Sequence, residues 1–348
     1  MIVMASPDHP RPLALTLGDP AGIGPEIALA AWRARAAHGL APFALVGDAD
    51  RLARVARAVG IDVPVRLVAE IEEAPAVFDE ALPVLPLEAP VSAEPGRPDP
   101  ANAPAILESI ERAVALARSG RAGGVVTCPI AKSVLYEAGF AHPGHTEFLA
   151  ALAAEPGAPP PLSVMMLWSE DLAVVPVTVH IALAEVPHAL TRERILAVAR
   201  IVARDLRQRF GITAPRLALA GLNPHSGEGG AMGREEIDTI APAIAALRAE
   251  GIDATGPHPA DTLFHARART RYDVALAMYH DQALVPIKTI AFDEAVNVTL
   301  GLPFIRTSPD HGTAFDIAGR GIARPDSLVA ALGLAGRLAG RAQAVATP

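Results

Sequence analysis

Cysteine is all but missing. Cys128 stands alone in 348 residues, so no disulfide can form within the chain and a reducing compartment suits it. Beside the strand-like Gly124-Val125-Val126-Thr127 it reads as a small buried apolar residue, not a catalytic thiol. Aromatics are scarce, 4% against a hydrophobic fraction of 51%, so a core has to be assembled from Val, Leu, Ile and Ala. No uninterrupted apolar run reaches the ~18 residues of a spanning helix, and Met1 to Pro12 holds proline and charge in place of a signal-peptide core. Positive charge is not in excess either. A formal charge of −8 argues against a nucleic-acid protein, whose phosphate-facing surface needs a net basic patch. A soluble cytoplasmic globular protein is expected, with no nucleic acid or membrane as partner.

What is present is a repeated design. An apolar run of strand length is followed within a few residues by histidine in Val174-Val175-Pro176-Val177-Thr178-Val179-His180, in Leu217-Ala218-Leu219-Ala220-Gly221-Leu222-Asn223-Pro224-His225 and in Val274-Ala275-Leu276-Ala277-Met278-Tyr279-His280. Short apolar runs are buried strands of a parallel sheet, and ligands in such folds gather beyond the carboxyl ends of the strands. Each histidine taken singly is more often a satisfied polar group than a ligand. Three at equivalent positions point to one metal site with a position left open for substrate. The glycine-bearing, polar Asn223–Gly230 connection and His280-Asp281-Gln282 read as loops of that site.

The remaining elements alternate. Leu13–Leu17, Phe43–Asp48 and Val63–Val68 read as strands, and Ile27–Ala37 and Ala49–Val59 as helices, the second stopped by Gly60. Such βαβ alternation predicts a mostly parallel α/β fold, and the length suits two domains around a cleft. Proline recurs from Pro83 to Pro104, which predicts a loop or surface arm. Ala105–Arg118 is an amphipathic helix with Ile106, Ile110, Val114 and Ala117 on one face. Leu162–Leu167 and Leu172–Val179 form a hairpin-like pair, Thr191 starts a helix that stops at Gly211, and Glu235–Glu250 is another. There is no internal repeat. Gly18-Asp19-Pro20-Ala21-Gly22-Ile23-Gly24 superficially resembles a dinucleotide fingerprint, but its glycine spacing does not fit G-x-G-x-x-G. A tight βα turn and a cofactor or substrate contact both remain open there.

Several polar positions stand out. Lys132 sits at a turn into a helix, as a phosphate contact or as a solvated helix-end lysine. His145 and Thr146 open a helix after a glycine bend, where they and free N–H groups could grip an anion, unless Thr146 is an ordinary cap. Asp261 is placed to reach a metal or to orient one of its ligands. Lys288 lies amid Val285-Pro286-Ile287 and Thr289-Ile290 with no obvious solvated face, Asn297 follows, and Arg306 offers either a planar fork for phosphate or a surface salt bridge.

The motifs Gly18-Asp19-Pro20-Ala21-Gly22-Ile23-Gly24-Pro25-Glu26, Pro143-Gly144-His145-Thr146-Glu147-Phe148, Gly221-Leu222-Asn223-Pro224-His225, Tyr279-His280-Asp281-Gln282 and Asn297-Val298-Thr299-Leu300-Gly301-Leu302-Pro303 closely resemble the 4-hydroxythreonine-4-phosphate dehydrogenase family of vitamin B6 biosynthesis, nearly end to end. His311-Gly312-Thr313-Ala314-Phe315-Asp316-Ile317-Ala318-Gly319-Arg320-Gly321 resembles the adenosine-binding loop of the isocitrate and isopropylmalate decarboxylating dehydrogenases. That resemblance implies their two-domain α/β fold with a central cleft. The expected domains are 1–140 with 300–348, on the cofactor side, and 141–299, carrying the metal histidines and the dimer contact. It also implies a homodimer with the active site at the subunit interface.

By the same resemblance His180, His225 and His280 hold a divalent ion (zinc, magnesium or cobalt), with His280 the one expected from a partner subunit. His145, Thr146, Lys288, Asn297 and Arg306 contact substrate. Gly18, Gly22, His311, Gly312, Thr313 and Asp316 bind NAD or NADP, and Lys288, Asp261 and Asp281 are the catalytic candidates. The implied reaction is oxidation and decarboxylation of 4-phosphooxy-L-threonine to 3-amino-2-oxopropyl phosphate. The alternatives are a sister dehydrogenase acting on a phosphorylated four-carbon sugar acid or a dihydrodiol, and an acyl-phosphate transferase of related fold.

Overall fold

The computed structural model describes residues 11–346, so most of the Met1–Pro12 stretch lies outside the described residues. In chain order the strands among them are β1 (Leu13–Thr16), β2 (Phe43–Gly47), β3 (Val65–Leu67), β4 (Leu82–Pro86), β5 (Val125–Val126), β6 (Val164–Trp168), β7 (Ala173–Pro176), β8 (Arg216–Ala220), β9 (Asp253–His258), β10 (Val274–Ala277), β11 (Val296–Leu300) and β12 (Arg306–Pro309). The chain forms two compact units. The first runs to Ser163 and resumes at Leu302; the second is Val164–Gly301. Both are of the mostly parallel α/β class that the alternation predicts.

In the first unit the strands stand in the order β3-β4-β2-β1-β5-β12, with every neighbouring pair parallel. β1 and β2 are buried along their whole length, as apolar runs covered on both faces should be. The helix Ala49–Val59 is delimited as its sequence predicts. The Asp48 side chain accepts Arg51 N–H at 2.6 Å, and Gly60 closes the helix in the left-handed region at φ 69°. The helix Ala103–Arg118 buries Ile106, Ile110 and Val114. Its Ser109 hydroxyl accepts Leu17 N–H at 2.9 Å and donates to Val46 C=O at 2.6 Å, which fastens the helix to the ends of β1 and β2.

Some expectations are corrected. The proline-rich stretch begins not as a loop but as β4, between β2 and β3. Pro83 precedes the pairing with β2, which starts at Val84, and Pro86 lies past the pairing with β3, which ends at Val84. Leu82 N–H points to β3 and Leu87 N–H to β2, so each proline lacks its donor only where the facing strand has none to meet. The expected break after residue 140 falls instead after Ser163, because Phe148, Leu149, Ala150 and Ala153 pack into one core with Ile106, Ile110 and Phe304. The helix predicted over 27–37 is Gly24–Arg33 followed by a separate turn, Arg35–His38. The one predicted over 235–250 is a π turn, Glu236–Ile240, leading into the helix Ala241–Ala249. Pro242, which has no N–H to continue the regular ladder, sits at the junction.

In the second unit the order is β11-β6-β7-β10-β8-β9. β11 pairs antiparallel with β6, and β6 with β7 as the expected hairpin; the other pairs are parallel. The helix Arg192–Gln208 is capped by Thr191, whose hydroxyl accepts Arg194 N–H at 3.2 Å, and it buries Ile195, Val198, Val202 and Leu206. Because β7, β10 and β8 are adjacent and parallel, their carboxyl ends share one edge. His180, His280 and His225 all follow those ends.

Candidate active site

Val177 N–H donates to Ala277 C=O at 2.8 Å, and the Thr178 hydroxyl to Met278 C=O at 2.8 Å, so the chain stays in step with β10 beyond the end of β7. This brings the His180 and His280 rings to 5.5 Å between centroids. They share a pocket of 240 Å³ with Thr178, Tyr279, Asp281 and the apolar Ile181, Leu183 and Val186. His280 Nδ1 lies 2.7 Å from Asp281 Oδ1. That carboxylate keeps the proton on Nδ1 and leaves the Nε2 lone pair available, the arrangement that metal-ligating imidazoles adopt. His180 has φ 52°, a strained conformation of the kind held at functional sites.

His225 sits in a left-handed run in which His225, Ser226, Gly227, Glu228 and Gly229 all have φ between 44° and 79°. A buried carboxylate holds this run. Glu236, 3% exposed, accepts Leu222 N–H and Asn223 N–H at 2.8 Å each and the Asn223 amide at 3.0 Å. A Cβ on Gly227 would come within 2.6 Å of Glu236 Oε2, so only glycine fits there. Gln282 ties this edge together, its Oε1 accepting Met278 N–H and its amide donating to Gly221 C=O, both at 2.7 Å.

The two adjoining imidazoles suit a divalent ion in donor type. Among the described residues, however, no three His, Cys, Asp or Glu side chains of one chain stand together closely enough to hold one. His180 and His280 meet and His225 stays apart. Parallel pairing of β7 with β10 sets His280, the histidine expected from a partner subunit, beside His180 in the same chain. Asp261, in the short helix Ala260–Leu263, is exposed and bonds to none of the histidines.

Lys288 lies two turns after His280 on the helix His280–Ile290 and is half-buried, with Nζ 5.9 Å from the Phe292 ring centroid. The apolar run around it has a solvated face after all, since Val285 is 62% and Phe292 72% exposed. Asn297 is half-buried on β11, on the opposite face from buried Val296 and Val298.

In the first unit His145 opens the helix His145–Leu152, with Thr146 next. The cap is Gly144, which offers no side-chain bond, so Thr146 is not the cap. Arg306 is 4% exposed on β12 and donates from Nη2 to the Thr127 hydroxyl at 2.7 Å. It is not the surface salt-bridge residue that was the alternative, and burial pulls its guanidinium down to about 10. His145 Nε2 is shielded and lacks a hydrogen-bond partner. Burial, reinforced by the positive charges of Arg306 and Lys132, holds this imidazole well below its usual range, hence neutral. A buried guanidinium, a shielded imidazole and the free N–H groups of a helix start are each suited in type to an anion.

The Gly18–Glu26 segment packs against the loop that follows Asp310. Ile23 N–H donates to Thr313 C=O at 3.0 Å, and a Cβ on Gly22 would stand 2.8 Å from that oxygen. A Cβ on Gly18, at φ 69°, would strike Pro129 C=O at 2.7 Å. His311, Gly312 and Asp316 are exposed. Asp19 is 2% exposed. Its Oδ1 accepts Ala21 N–H at 3.0 Å while Oδ2 has no hydrogen-bond partner, and burial pushes the carboxyl up. Sequence reasoning missed Asp19, Glu26, Glu236 and Gln282 as site-shaping groups. Their only local signal was an acidic or amide residue inside a glycine-bearing motif.

The chain is 68% identical over 347 residues to a 4-hydroxythreonine-4-phosphate dehydrogenase of Methylorubrum populi, covering 99% of both chains. It is 40% identical to the crystal structure of 4-hydroxythreonine-4-phosphate dehydrogenase from Klebsiella pneumoniae, with a TM-score of 0.84 over 94% of this chain and 99% of that one. A terephthalate 1,2-cis-dihydrodiol dehydrogenase from Burkholderia xenovorans is 32% identical, with a TM-score of 0.64 over 94% and 98%. Residues 40–335 match the family model of the pyridoxal phosphate biosynthetic protein PdxA. With most of its length matching that model and a relative 68% identical over 99% of both chains, the chain belongs to the PdxA family.

Proposed function

We propose that this chain is a soluble cytoplasmic enzyme that oxidises and decarboxylates 4-phosphooxy-L-threonine to 3-amino-2-oxopropyl phosphate with NAD or NADP, in pyridoxal 5′-phosphate biosynthesis. What supports it is the buried Arg306 guanidinium and, in the same unit, the shielded His145 Nε2 at a helix start, groups suited to the substrate's phosphate. The names of its relatives support the same substrate.

His180 and His280 are the adjoining ligands of a divalent ion (zinc, magnesium or cobalt), with His225 completing the set across a homodimer. When bound, such an ion supplies Lewis-acid stabilisation of the alcohol oxygen and of the charge that builds as carbon dioxide leaves. Asp281 holds His280 in the tautomer that ligation needs. Arg306, His145 and Thr146 orient the phosphate, Lys288 and Asn297 hold the rest of the substrate, and Lys288, Asp261 and Asp281 are the groups proposed to move the hydroxyl proton. Gly18, Gly22 and the His311–Asp316 segment would hold the dinucleotide, whose chemistry when bound would be that of a hydride acceptor.

The test is a substrate panel followed by NADH absorbance, with metal analysis of the purified protein. Turnover of 4-phosphooxy-L-threonine well above that of a dihydrodiol or a phosphorylated four-carbon sugar acid supports the reading. No turnover of it rejects the reading.

A further inference from the structure

The proline-rich stretch leaves β4 and turns at Glu94–Arg97, where Arg97 N–H donates to Glu94 C=O at 3.2 Å and the two side chains pair at 3.0 Å. Pro95 and Gly96 hold the central positions, with Gly96 at φ 77°, the composition that a turn with a left-handed third residue selects. The base of this arm is anchored. Asn102, 1% exposed, accepts Ser92 N–H at 3.0 Å through its side-chain oxygen, and Val91 and Ala93 are buried.

The tip meets both segments that the proposed function gives to the dinucleotide. Gly96 N–H donates at 2.8 Å to Ala21 C=O, inside the Gly18–Glu26 turn. A Cβ on Gly96 would stand 2.9 Å from Phe315 C=O, and one on Gly319 2.7 Å from Pro95 Cβ, so the tip also lies flat against the 315–319 loop. Within that loop Ala314 has φ 45°, a left-handed conformation that is unfavourable for a residue with a Cβ and persists only where its surroundings enforce it. The carbonyl before it, of Thr313, accepts Ile23 N–H at 3.0 Å, and the carbonyl after it, of Phe315, lies against Gly96. Turn and tip thus hold the strained residue from both sides.

We infer that Pro95 and Gly96 are positioning residues for the dinucleotide. The tip keeps Ala314 and its neighbours in the one arrangement that accepts the cofactor, and so sets the affinity for it. This rests on the reading of Gly18, Gly22 and the His311–Asp316 segment as the dinucleotide site. A ligand that binds only one arrangement of a loop loses apparent affinity in proportion as that arrangement is depopulated. Glycine is needed at 96 because any Cβ would push the tip off the Phe315 carbonyl.

The experiment uses the full chain as wild type, Gly96→Ala, Pro95→Ala and Gly22→Ala, with NAD and NADP as probes in calorimetry. Hydrogen exchange of the unliganded protein reads the 313–321 amides directly. Gly96→Ala is expected to speed exchange there, to weaken whichever dinucleotide the wild type binds more tightly by about tenfold, and to raise its KM by a similar factor. KM for the phosphorylated substrate, and kcat at saturating dinucleotide, should stay within about twofold. Pro95→Ala adds no clash, and should move each quantity in the same direction by less. Wild-type affinity in Gly96→Ala and Pro95→Ala, with binding lost in Gly22→Ala, overturns the role of the tip and leaves the site standing. No change in any of the three variants, or no dinucleotide binding by the wild type, overturns both.

Discussion

The Glu26 carboxylate accepts the backbone N–H of Gly321 at 3.2 Å and that of Gly319 as well. Together with the Ile23–Thr313 bond, the helix that follows β1 grips the 313–321 loop at two points. Hydrogen bonds to charged groups contribute about 1.5–3 kcal/mol each. Glu26→Ala should therefore lower the melting temperature by several degrees, and Glu26→Gln by less. If this loop receives the dinucleotide, the apparent KM for NAD rises while that for the phosphorylated substrate does not. Scanning calorimetry and initial rates check both, and an unchanged melting temperature would mean that the clamp contributes nothing.

Gln282→Leu removes the bridge between Met278 N–H and Gly221 C=O and leaves two buried backbone groups without partners. Each costs about 1–3 kcal/mol, so urea unfolding should shift to a clearly lower midpoint at an unchanged slope. Metal content should fall too, because the bridge sets the β8 end against the β10 end.

Asp19 gives a pH-dependent prediction. Burial raises its carboxyl above the ordinary 3.8. A raised acid contributes stability below its unfolded value, and that contribution is lost as pH climbs through the folded one. Asp19→Asn keeps an acceptor for Ala21 N–H and carries no charge. Its melting temperature relative to wild type should therefore rise from pH 4 towards neutrality and then level off; a difference that is flat across this window would refute the burial of a charge here.

His225→Ala should abolish activity with the fold nearly intact, and lower the metal retained after dialysis. His180→Ala should do the same. Undiminished metal in both variants would end the case for a histidine site.

Arg306→Ala should chiefly raise the apparent substrate constant, on the order of tenfold or more for a lost charged fork. It should also destabilise the protein, since the Thr127 hydroxyl then loses its buried donor. Steady-state kinetics at several phosphate concentrations measure the first effect, and thermal unfolding the second.

Short-range patterns settled much in the sequence alone. The apolar runs before His180, His225 and His280, the helix limits at Asp48 and Gly60, the Thr191 cap and the helix start at His145 are all encoded within a few residues, because burial periodicity and capping act over one or two turns. Tertiary structure alone decided the rest. It passed a strand through Pro83 and Pro86, drew the His145 helix into the first unit, and set His280 beside His180 while His225 stayed apart. It also gave Asp19, Glu26, Glu236 and Gln282 their surroundings. A buried polar group is defined by its partner, and Gln282 finds Gly221 across 61 positions and Glu26 finds Gly321 across 295. Strand order, not local sequence, makes those meetings.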